Sequence, residues 1–514
     1  MKSGRVWTRL ADGQSRVAVL GYGISNRPLV DWLIAQDVSP ARITVRDRRT
    51  EEQLAAVGDL ARLQTCGVAL VCGADYLQGL PETEVIFRTP GIRPDLPEID
   101  RAVTAGALLT SEMELFLELT EAVVLGVTGS DGKTTTTTLT SLIVEEYLRG
   151  QGRGRMYLGG NIGSPLLPQV EHMTPDDVAV LELSSFQLMT VDRSPDRAAV
   201  TNLSPNHLNW HTDMQEYVAA KANICTHIPP DAPRSAVVLN AEDHRTRELG
   251  LTLPPDLPIL WFSRAATRPS EVVPPERVGC PDRALYLRDG GICLTSEDGD
   301  CDLLDLSRIR LPGRHNLENF MTALGLCEGL MSTRELARCA KIVADNFTGV
   351  PHRLELVAEA GGIRYYNSSI DSSPTRTAAA LDALADLRER GGGDRHKPTV
   401  ICGGQDKHLS FAPLAEALCR GAAAVILTGE ARGQIYEALI ACPHYDPATL
   451  PVTVIPNWQE AMETACRGMR SGDVLLLSPA CTSFDAFPNF EVRGECFRET
   501  VRRILSETAS KERI

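Results

Sequence analysis

The chain has 514 residues, of which 43% are hydrophobic and 23% are charged, a composition typical of a globular protein. At about 150 residues per domain, this length predicts roughly three domains. The 67 Asp and Glu residues outnumber the 52 Lys and Arg residues, and the net charge of −15 argues against nucleic acid or an anionic membrane surface as a main partner.

The 14 cysteines include no CxxC pair, which favours a reduced compartment over a disulfide framework or a zinc ribbon. The N-terminal stretch lacks the apolar segment of a secretory signal, and no apolar run approaches the roughly 20 residues that span a bilayer. We therefore expect a cytoplasmic protein without membrane insertion.

The first segment alternates between strand patterns and helix patterns. An apolar run at 17–20 leads into the glycine turn GYGISN (21–26) and an amphipathic stretch, and ARITVRD (41–47) predicts the next strand, which ends in Asp47. Strand, turn, helix and strand form a βαβ unit, which implies a parallel sheet. VALVCG, EVIFR and the helix-like SEMELFLEL continue the alternation, and we place the end of this first domain at residue 119.

The turn GYGISN is similar to the dinucleotide-binding pattern GxGxxG, but Asn26 stands where the third glycine is expected. Asp47, which lies 26 residues after Gly21, is a candidate to bind a ribose or a base edge. Two interpretations stay open here. One is a plain tight turn in a Rossmann-like sheet, and the other is an NAD-dependent dehydrogenase, which would depend on this motif alone.

The second segment carries a stronger motif, GVTGSDGKTTT (126–136), between an apolar run and a helical stretch. Glycines let the backbone amides turn toward a phosphate, Lys133 can reach the outer phosphates, and Thr134 offers a hydroxyl to Mg²⁺. The spacing departs from the common pattern by one residue, since Val127 stands where the first glycine belongs. The alternative is a glycine-rich turn with a surface lysine.

Acidic and imidazole side chains follow later apolar runs of the same segment. Glu182 ends the run in LELSSFQL, His207 and His211 follow another run, and Lys221 comes fourteen residues after His207. In an open α/β sheet these strand ends face the ligand crevice. A lone Glu or His is usually a hydrogen-bonded surface group, but beside a phosphate loop these residues predict a Mg²⁺ site, because nucleotide phosphates need Mg²⁺ and Mg²⁺ prefers oxygen ligands.

A third segment begins after TGVPHRLELV and contains three more apolar runs, PTVICGG, AAVILTG and DVLLLSPA. The predicted fold class is therefore α/β in three parts. The predicted domains are residues 1–119, 120–350 and 351–514.

Several motifs in one order resemble the Mur ligase family, and within it the branch that adds D-glutamate. The resemblance extends from about residue 16 to about residue 505, and it is carried by GYGISN, TGSDGKTTTTTL, GGNIGSPL, LELSSFQL, NHLNWH with AAKANI, LPGRHNLENF, GVPHRLE, SSPTRT, GGQDK and SPACTSFDAFPNFEVRGECF. LELSSFQL and SPACTSFDAFPNFEVRG favour the D-glutamate branch over its sister ligases.

The resemblance implies an N-terminal Rossmann-like domain that binds a UDP sugar, a central P-loop domain that binds ATP, and a C-terminal Rossmann-like domain that binds the amino acid. It implies that ATP activates the carboxylate of UDP-N-acetylmuramoyl-L-alanine as an acyl phosphate, which the amine of D-glutamate attacks to give an amide, ADP and phosphate. It also implies peptidoglycan precursor synthesis, two Mg²⁺ ions and a monomer.

Site residues follow from the resemblance by position. The residues expected to act in catalysis are Lys133, Glu182, His207 and Lys221. Those expected to hold Mg²⁺ are Thr134, Glu182, His207 and Lys221, the last as a carbamylated lysine. Those expected to bind ATP are Gly129, Ser130, Asp131, Gly132, Lys133, Thr134, Thr135, Asn319, Arg353 and Asp371. Those expected to bind the UDP sugar are Ile24, Ser25, Asp47, Arg48, Arg49, Asn161 and His207. Those expected to bind D-glutamate are Ser372, Lys407, Ser483 and Phe490.

The chain departs from the family pattern at two motifs. Where an N-D-S-K-A-T run is common, Ser368 replaces the ATP-contacting Asp and Ile370 replaces the substrate-contacting Lys, so Asp371 is the candidate for the carboxylate and Arg376 for the missing cation. Asn209 stands where an Asp is common after the metal histidine, which removes a carboxylate that would orient His207.

Other functions stay open at this point. One is another Mur or folylpolyglutamate-type ligase with a different amino acid, and a second is a P-loop NTPase or kinase that forms no amide. A third is a nucleotide-binding protein that has lost catalysis, although the presence of Lys133, Glu182, His207 and Lys221 argues against it.

Overall fold

The computed structural model describes residues 4–11, 13–55, 60–208, 210–295, 299–311, 313–347, 349–389, 396–406 and 409–511. The chain divides into two compact units, Met1–Ile309 with Leu317–Asp345 and Arg310–Asn316 with Asn346–Ile514. Three sheets organise these units, and most of their strand pairs are parallel. The predicted α/β class is therefore confirmed.

The first sheet has five strands in the order β3-β2-β1-β4-β5, all parallel. Its strands are β1 (Val17–Leu20), β2 (Ile43–Asp47), β3 (Ala69–Cys72), β4 (Val85–Arg88) and β5 (Leu108–Thr110). The accompanying helices are α1 (Arg5–Leu10), α2 (Asn26–Ala35), α3 (Glu51–Ala55), α4 (Leu60–Cys66), α5 (Pro97–Thr104) and α6 (Glu112–Leu119). The central strand β1 is buried throughout because helices cover both faces of a parallel sheet, which is why it is an unbroken apolar run.

The second sheet, also in the first unit, has nine strands in the order β14-β13-β12-β11-β10-β9-β6-β8-β7. Its strands are β6 (Val123–Thr128), β7 (Met156–Gly160), β8 (Val178–Glu182), β9 (Arg197–Val200), β10 (Ala236–Asn240), β11 (Ile259–Phe262), β12 (Arg283–Arg288), β13 (Gly291–Leu294) and β14 (Cys301–Asp305). The helices are α7 (Lys133–Gln151), α8 (Ser185–Leu188), α9 (Met214–Ala222), α10 (His244–Thr252), α11 (Arg314–Cys327) and α12 (Thr333–Asn346). Strands β12 to β14 form an antiparallel edge, whereas the other pairs are parallel.

The third sheet lies in the second unit and has six strands in the order β15-β16-β20-β17-β18-β19. Its strands are β15 (Glu355–Ala360), β16 (Ile363–Asn367), β17 (Thr399–Gly403), β18 (Ala424–Thr428), β19 (Val452–Val454) and β20 (Val474–Ala480). The helices are α13 (Pro374–Glu389), α14 (Ala412–Gly421), α15 (Arg432–Ala441), α16 (Trp458–Gly468) and α17 (Phe490–Lys511). Only the β15–β16 pair is antiparallel.

Buried apolar side chains form separate cores in the two units. One large cluster of the first unit combines residues beneath the first and second sheets, from Val6 to Cys293, and a smaller cluster covers the other face of the first sheet. Two clusters of the second unit lie on the two faces of its sheet. In the described part of the chain, no helix combines the length and the apolar character needed to cross a membrane.

Candidate active site

The predicted phosphate loop connects β6 to α7, as the motif requires. Gly129 has a φ of 146°, and a Cβ there would lie 1.9 Å from Thr201 Oγ1. Gly132 has a φ of 79°, and a Cβ there would lie 2.2 Å from Asn319 Oδ1. Both positions therefore require glycine for backbone conformation and for space. Asn319, which was predicted to bind ATP, is buried directly against this loop.

Helix α7 provides an anion-binding terminus. It is 19 residues long, its N-cap residue Gly132 has no side chain to cap it, and its first turn contains no acidic residue. The N–H groups of this turn and the helix dipole favour a phosphate group. Lys133 Nζ is held over the loop by the carbonyl oxygens of Gly129 and Ser130, each at 2.9 Å. Thr134 is half-buried and Thr135 is buried on the same helix.

Side chains of neighbouring strand ends fix the rest of the loop. Ser130 Oγ lies 2.9 Å from the hydroxyl of Tyr217 and donates to the carbonyl of Ser204. The Asp131 N–H donates to Asn202 Oδ1 at 3.0 Å. The loop is thus held in shape by groups that follow β9, at the edge where ligands bind in open α/β sheets.

Glu182 and Asn161 come together at the carboxyl ends of β8 and β7. Asn161 Nδ2 donates to Glu182 Oε1 at 2.8 Å, and the Asn161 N–H donates to the Glu182 carbonyl at 2.7 Å. The other carboxylate oxygen, Glu182 Oε2, is buried and has no hydrogen-bond partner among the described residues. A buried anionic oxygen without a partner is costly, and a cation would satisfy it. The site therefore fits Mg²⁺, which prefers carboxylate oxygens.

Lys221 lies inside the same site, with only 2% of its surface exposed. Its Nζ donates to the Gly129 carbonyl at 2.7 Å and to Thr128 Oγ1 at 3.3 Å. Burial lowers the pKa of Lys221 to about 6, and repulsion from Lys133 acts in the same direction. Lys133 and Lys221 thus share one carbonyl acceptor, and burial favours the uncharged amine form of Lys221.

The two histidines after β9 have different environments. His207 is exposed and takes a left-handed conformation with a φ of 55°. His211 is buried between Ser185 Oγ, 2.9 Å from its Nε2, and Glu216 Oε2, 3.0 Å from its Nδ1. Burial lowers the pKa of His211, although the bond with Glu216 opposes this change. His207 is therefore the exposed histidine of the two, and its role as a metal ligand stays a prediction.

Among the described residues, no group of three or more His, Cys, Asp or Glu side chains is arranged to hold a metal ion. Mg²⁺ usually keeps several water ligands and takes others from substrate phosphates. The predicted metal ligands include one Glu and one His, together with Thr134 and Lys221, so they do not make up a group of this kind. The set of Thr134, Glu182, His207 and Lys221 therefore stays a prediction.

In the first sheet, the glycine turn explains the unexpected Asn26. Asn26 is buried, and its Nδ2 donates to the carbonyl oxygens of Leu20 and Gly21 at 3.1 and 2.9 Å. Gly21 has a φ of 82°, and a Cβ there would lie 2.5 Å from the Thr89 side chain. The amide of Asn26 thus closes a turn that a third glycine would leave open.

The carboxylate of Asp47 is hydrogen-bonded to other groups of the protein. It accepts the Tyr22 N–H at 2.8 Å, the Arg49 N–H at 2.9 Å, and the Arg49 Nε and Nη2 at 3.0 and 2.8 Å. Burial alone would raise the pKa of Asp47, but these bonds outweigh burial and lower it. Asp47 therefore braces the glycine turn and Arg49. Around them, Ser25 is half-buried, whereas Arg48 and Ile24 are exposed.

In the second unit, Asp371 is buried and accepts a hydrogen bond from the Ser478 hydroxyl at 2.8 Å. Burial raises the pKa of Asp371, which the bond with Ser478 opposes. Ser368 Oγ accepts the Leu354 N–H at 3.0 Å, and Arg376 Nη1 donates to the Ile370 carbonyl at 3.3 Å. The two departures in the N-D-S-K-A-T run, Ser368 and Ile370, thus each have a hydrogen-bond partner within this unit.

The remaining predicted residues of the second unit are also placed. Arg353 and Ser372 are half-buried, and Ser483 is buried after β20. Phe490 is the first residue of α17, is half-buried, and accepts a bond from Ser369 Oγ at its carbonyl. Lys407 and Asn209 lie outside the described residues.

Sequence reasoning missed Arg493, which is fully buried behind the strand β20. Its guanidinium donates to the carbonyls of Cys481, Thr482 and Ser369, all within 3.1 Å. Burial lowers the pKa of Arg493 to about 10. An arginine in a helical stretch gives no local indication that it is buried. The one indication in the sequence was that Arg493 lies inside the matching motif FEVRGECF.

Comparison with known proteins accounts for this arrangement. Residues 127–327 match the family model of the Mur ligase middle domain, and residues 352–481 match that of the Mur ligase, glutamate ligase domain. The chain belongs to the Mur ligase family, which confirms the resemblance seen in its motifs and the prediction of a ligase.

Two curated relatives are similar over nearly the whole chain. A UDP-N-acetylmuramoylalanine--D-glutamate ligase of Clostridium botulinum (strain Kyoto / Type A2) is 39% identical over 493 residues, which cover 95% of this chain and 97% of the relative. The same enzyme of Ruminiclostridium cellulolyticum is 39% identical over 492 residues, with the same coverage.

Solved structures share the fold at lower identity. A UDP-N-acetylmuramoyl-L-alanyl-D-glutamate--2,6-diaminopimelate ligase is 17% identical with a TM-score of 0.51, and it covers 82% of this chain and 92% of its own. A pseudomurein peptide ligase type C from Methanothermus fervidus is 15% identical with a TM-score of 0.51, and the match covers 96% of this chain and 100% of that ligase. These similarities concern the fold.

Proposed function

We propose that the protein is an ATP-dependent ligase that joins D-glutamate to UDP-N-acetylmuramoyl-L-alanine by an amide bond, in peptidoglycan precursor synthesis. The observation that carries this function is the 39% identity, over nearly the full length of both chains, to UDP-N-acetylmuramoylalanine--D-glutamate ligases. The function predicted from the motifs is confirmed at this level. The finer assignments below, of individual residues and domains, are proposals.

In this reaction the γ-phosphate of ATP activates the substrate carboxylate as an acyl phosphate, and the amine of D-glutamate displaces phosphate to form the amide. Because two anions must meet in the first step, the site needs fixed positive charge. Lys133 supplies it in our proposal, since its Nζ stands at the mouth of the loop above the start of α7. The N–H groups of that helix bind the other phosphates.

Thr134, Glu182, His207 and Lys221 would hold Mg²⁺ at two sites. When bound, Mg²⁺ neutralises charge on the phosphates during transfer. The support is the buried Glu182 Oε2, which lacks a partner among the described residues, whereas Oε1 of the same carboxylate accepts a hydrogen bond from the Asn161 amide. Asn161 orients this carboxylate and contacts the UDP sugar in our proposal.

We propose that Lys221 acts as a carbamate. A neutral, buried amine is the form that reacts with carbon dioxide, and the product replaces a potential cation by a carboxylate-like oxygen donor. The shared acceptor supports this, because two ammonium groups on the Gly129 carbonyl would repel each other.

The three sheets support the proposed domains 1–119, 120–350 and 351–514, with the UDP sugar at the first, ATP at the second and D-glutamate at the third. In the first, Ile24, Ser25, Arg48 and Arg49 surround the glycine turn and would bind the uridine diphosphate, with Asp47 holding Arg49 in place. We propose a cytoplasmic monomer. The proposed location is supported by the cysteines of the described chain, none of which forms a disulfide, and by the use of ATP.

D-glutamate carries two carboxylates, so its pocket needs a cation and neutral donors. Lys407 is the proposed cation, and Ser372, Ser483 and Phe490 complete the pocket. Lys407→Ala is expected to raise the KM for D-glutamate far more than the KM for ATP. Equal changes in both constants, or no change, would place D-glutamate elsewhere.

The experiment that tests the function is an assay of ADP release with UDP-N-acetylmuramoyl-L-alanine and a panel of D- and L-amino acids. We expect release that depends on the UDP sugar and on D-glutamate. Preference for another amino acid would indicate a different Mur or folylpolyglutamate-type ligase. Phosphate release without an amino acid would indicate a P-loop NTPase.

A further inference from the structure

A hydrogen-bonded relay joins α8, the loop before α9 and the first turn of α9. His211 stands at its centre, with Glu216 Oε2 3.0 Å from its Nδ1 and Ser185 Oγ 2.9 Å from its Nε2. Because a carboxylate only accepts, Nδ1 carries the proton, and Nε2 accepts from the Ser185 hydroxyl. Both ring nitrogens are therefore used, and the orientation of the imidazole is set from two sides.

Arg93, in the loop after β4 of the first sheet, holds the outer end of this relay. Its Nη2 donates to Glu216 Oε1 at 2.7 Å, and its Nη1 donates to the Trp210 carbonyl. The guanidinium also lies over the Trp210 ring, 4.9 Å from the centroid. A side chain of the first sheet thus fixes a loop of the second sheet.

This loop carries His207. The His207 carbonyl accepts the N–H groups of Trp210 and His211, both at 3.0 Å, which closes the turn that holds His207 at its φ of 55°. Phe186 connects the two imidazoles, since its ring stacks on His211 at 5.6 Å and meets the His207 ring edge-on at 5.0 Å. His211 therefore bonds to the backbone of His207 and also contacts Phe186, the ring that packs against the His207 imidazole.

The order of hydroxyl, imidazole and carboxylate also occurs in hydrolytic triads. In this protein, however, Ser185 and His211 are each only 2% exposed, so no substrate carbonyl can reach the hydroxyl. The arrangement can hold a shape, but it cannot supply a nucleophile.

We propose that His211 is a positioning residue for His207, and that Arg93, acting through Glu216, ties the position of His207 to the first sheet. The proposal rests on the role of His207 in the proposed function. Loss of groups that orient a metal ligand typically costs about 10–100-fold in metal affinity or activity.

The experiment compares His211→Phe, which keeps the ring but loses both hydrogen bonds, with His207→Ala and with the double variant. Steady-state kinetics give kcat and the KM of each substrate. Titration of free Mn²⁺ by electron paramagnetic resonance gives metal binding without turnover, and thermal melts report folding. His211→Gln restores a donor and an acceptor, and Ser185→Ala removes one bond only. Arg93→Met is compared with Arg101→Met, which removes an exposed ion pair on α5.

We expect His211→Phe to lower kcat and Mn²⁺ affinity by about 10–100-fold with the KM for D-glutamate unchanged, and the double variant to match His207→Ala. His211→Gln should recover most of the loss. Ser185→Ala and Arg93→Met should lose less, and Arg101→Met nothing. If His211→Phe does not fold, Ser185→Ala and Arg93→Met give the same test.

Full activity of a folded His211→Phe or Ser185→Ala enzyme, or losses that multiply in the double variant, would overturn the proposal. If His207→Ala itself leaves kcat and Mn²⁺ binding unchanged, the proposed role of His207 as a metal ligand is wrong, and the positioning role of His211 is wrong with it.

Discussion

Lys133 and Lys221 donate to the same carbonyl oxygen, that of Gly129, yet they differ in exposure. Lys133 is half-buried at the mouth of the loop, whereas Lys221 is enclosed and its pKa falls to about 6. Burial thus favours the uncharged amine form of Lys221. The difference in burial thus suits the two lysines to different roles: Lys133 to neutralise phosphate, and Lys221 to become carbamylated.

Lys133→Ala is expected to abolish ADP formation while the fold is kept. The lysine supplies the positive charge that meets the transferring phosphoryl group, and loss of such a group typically costs about a hundredfold or more in rate. The measurement is coupled ADP release, with circular dichroism to check the fold. Lys341→Ala, an exposed lysine on α12, is the control and should be fully active. An unimpaired Lys133→Ala enzyme would remove the phosphate-loop assignment.

Lys221→Ala is expected to be inactive, and bicarbonate or a short carboxylic acid should partly restore its activity. The added anion would occupy the space where the carbamate oxygens are proposed to lie. Activity is measured against the concentration of each additive, with chloride as the control salt. A well-folded variant that no carboxylate rescues would contradict the carbamate.

At the scale of elements, α1 is attached to α6 by acidic side chains. Glu118 accepts the backbone N–H groups of Val6 and Trp7 at 3.0–3.2 Å, which caps the start of α1. Arg5 pairs with Glu114 of α6 at 2.9 Å and with Asp192 at 2.8 Å. Two acidic side chains thus share one guanidinium, and Glu114 is the one that is fully buried.

This junction predicts a pH dependence of stability. Burial, with Asp192 adding to it, raises the pKa of Glu114 to about 8, against about 4.5 in the unfolded chain. Between these values the folded state binds more protons, so this contribution is complete below about pH 4.5 and is lost as the pH rises to 8. Glu114→Gln should therefore flatten the fall in stability from pH 5 to pH 8, by up to about 1.4 kcal/mol per pH unit.

Thermal or urea unfolding across this pH range measures the effect. Glu112 has a pKa of about 7 for the same reason of burial, so some slope should stay in the single variant and decrease further with Glu112→Gln. Glu145→Gln, on the exposed face of α7, should behave as the unmodified protein does. Parallel pH curves for Glu114→Gln and the unmodified protein would show that Glu114 is ionised when folded.

For the whole molecule, the separate cores predict independent folding. Each of the four hydrophobic clusters described above draws its residues from one unit only. A fragment of residues 1–345 should therefore unfold cooperatively and bind ADP with Mg²⁺, because it contains the phosphate loop, Glu182 and Lys221. It should form no amide, since it lacks the unit proposed to bind D-glutamate.

Circular dichroism, thermal melts and calorimetric titration with ADP test this fragment, with the full chain as the reference. The fragment with Lys133→Ala is the control for specific nucleotide binding and should bind ADP more weakly. A fragment that is unfolded, or that shows no cooperative transition, would mean that the first unit depends on the second.

The amino-acid sequence alone determined the class of the fold, the glycine-rich loop between β6 and α7, and the ligase family. Strands buried on both faces are unbroken apolar runs, and a phosphate loop is a continuous segment whose glycines and lysine have fixed spacing. Both signals are local. The sequence does not predict the strands β5, β7, β16 and β19, nor the order of the short strands within residues 251–310. These short, mixed segments take their structure from the neighbours they pair with.

Only the tertiary structure decided what surrounds the reactive groups. Three features depend on burial and on partners from distant parts of the chain: the lowered pKa of Lys221, the Glu182 oxygen that has no partner among the described residues, and the relay from Arg93 to His211. Arg93 and Glu216, for example, are 123 residues apart in sequence and 2.7 Å apart in space. Desolvation and hydrogen-bond geometry arise when segments pack together, so the residue types predicted the chemistry and the packing determined the state of each group.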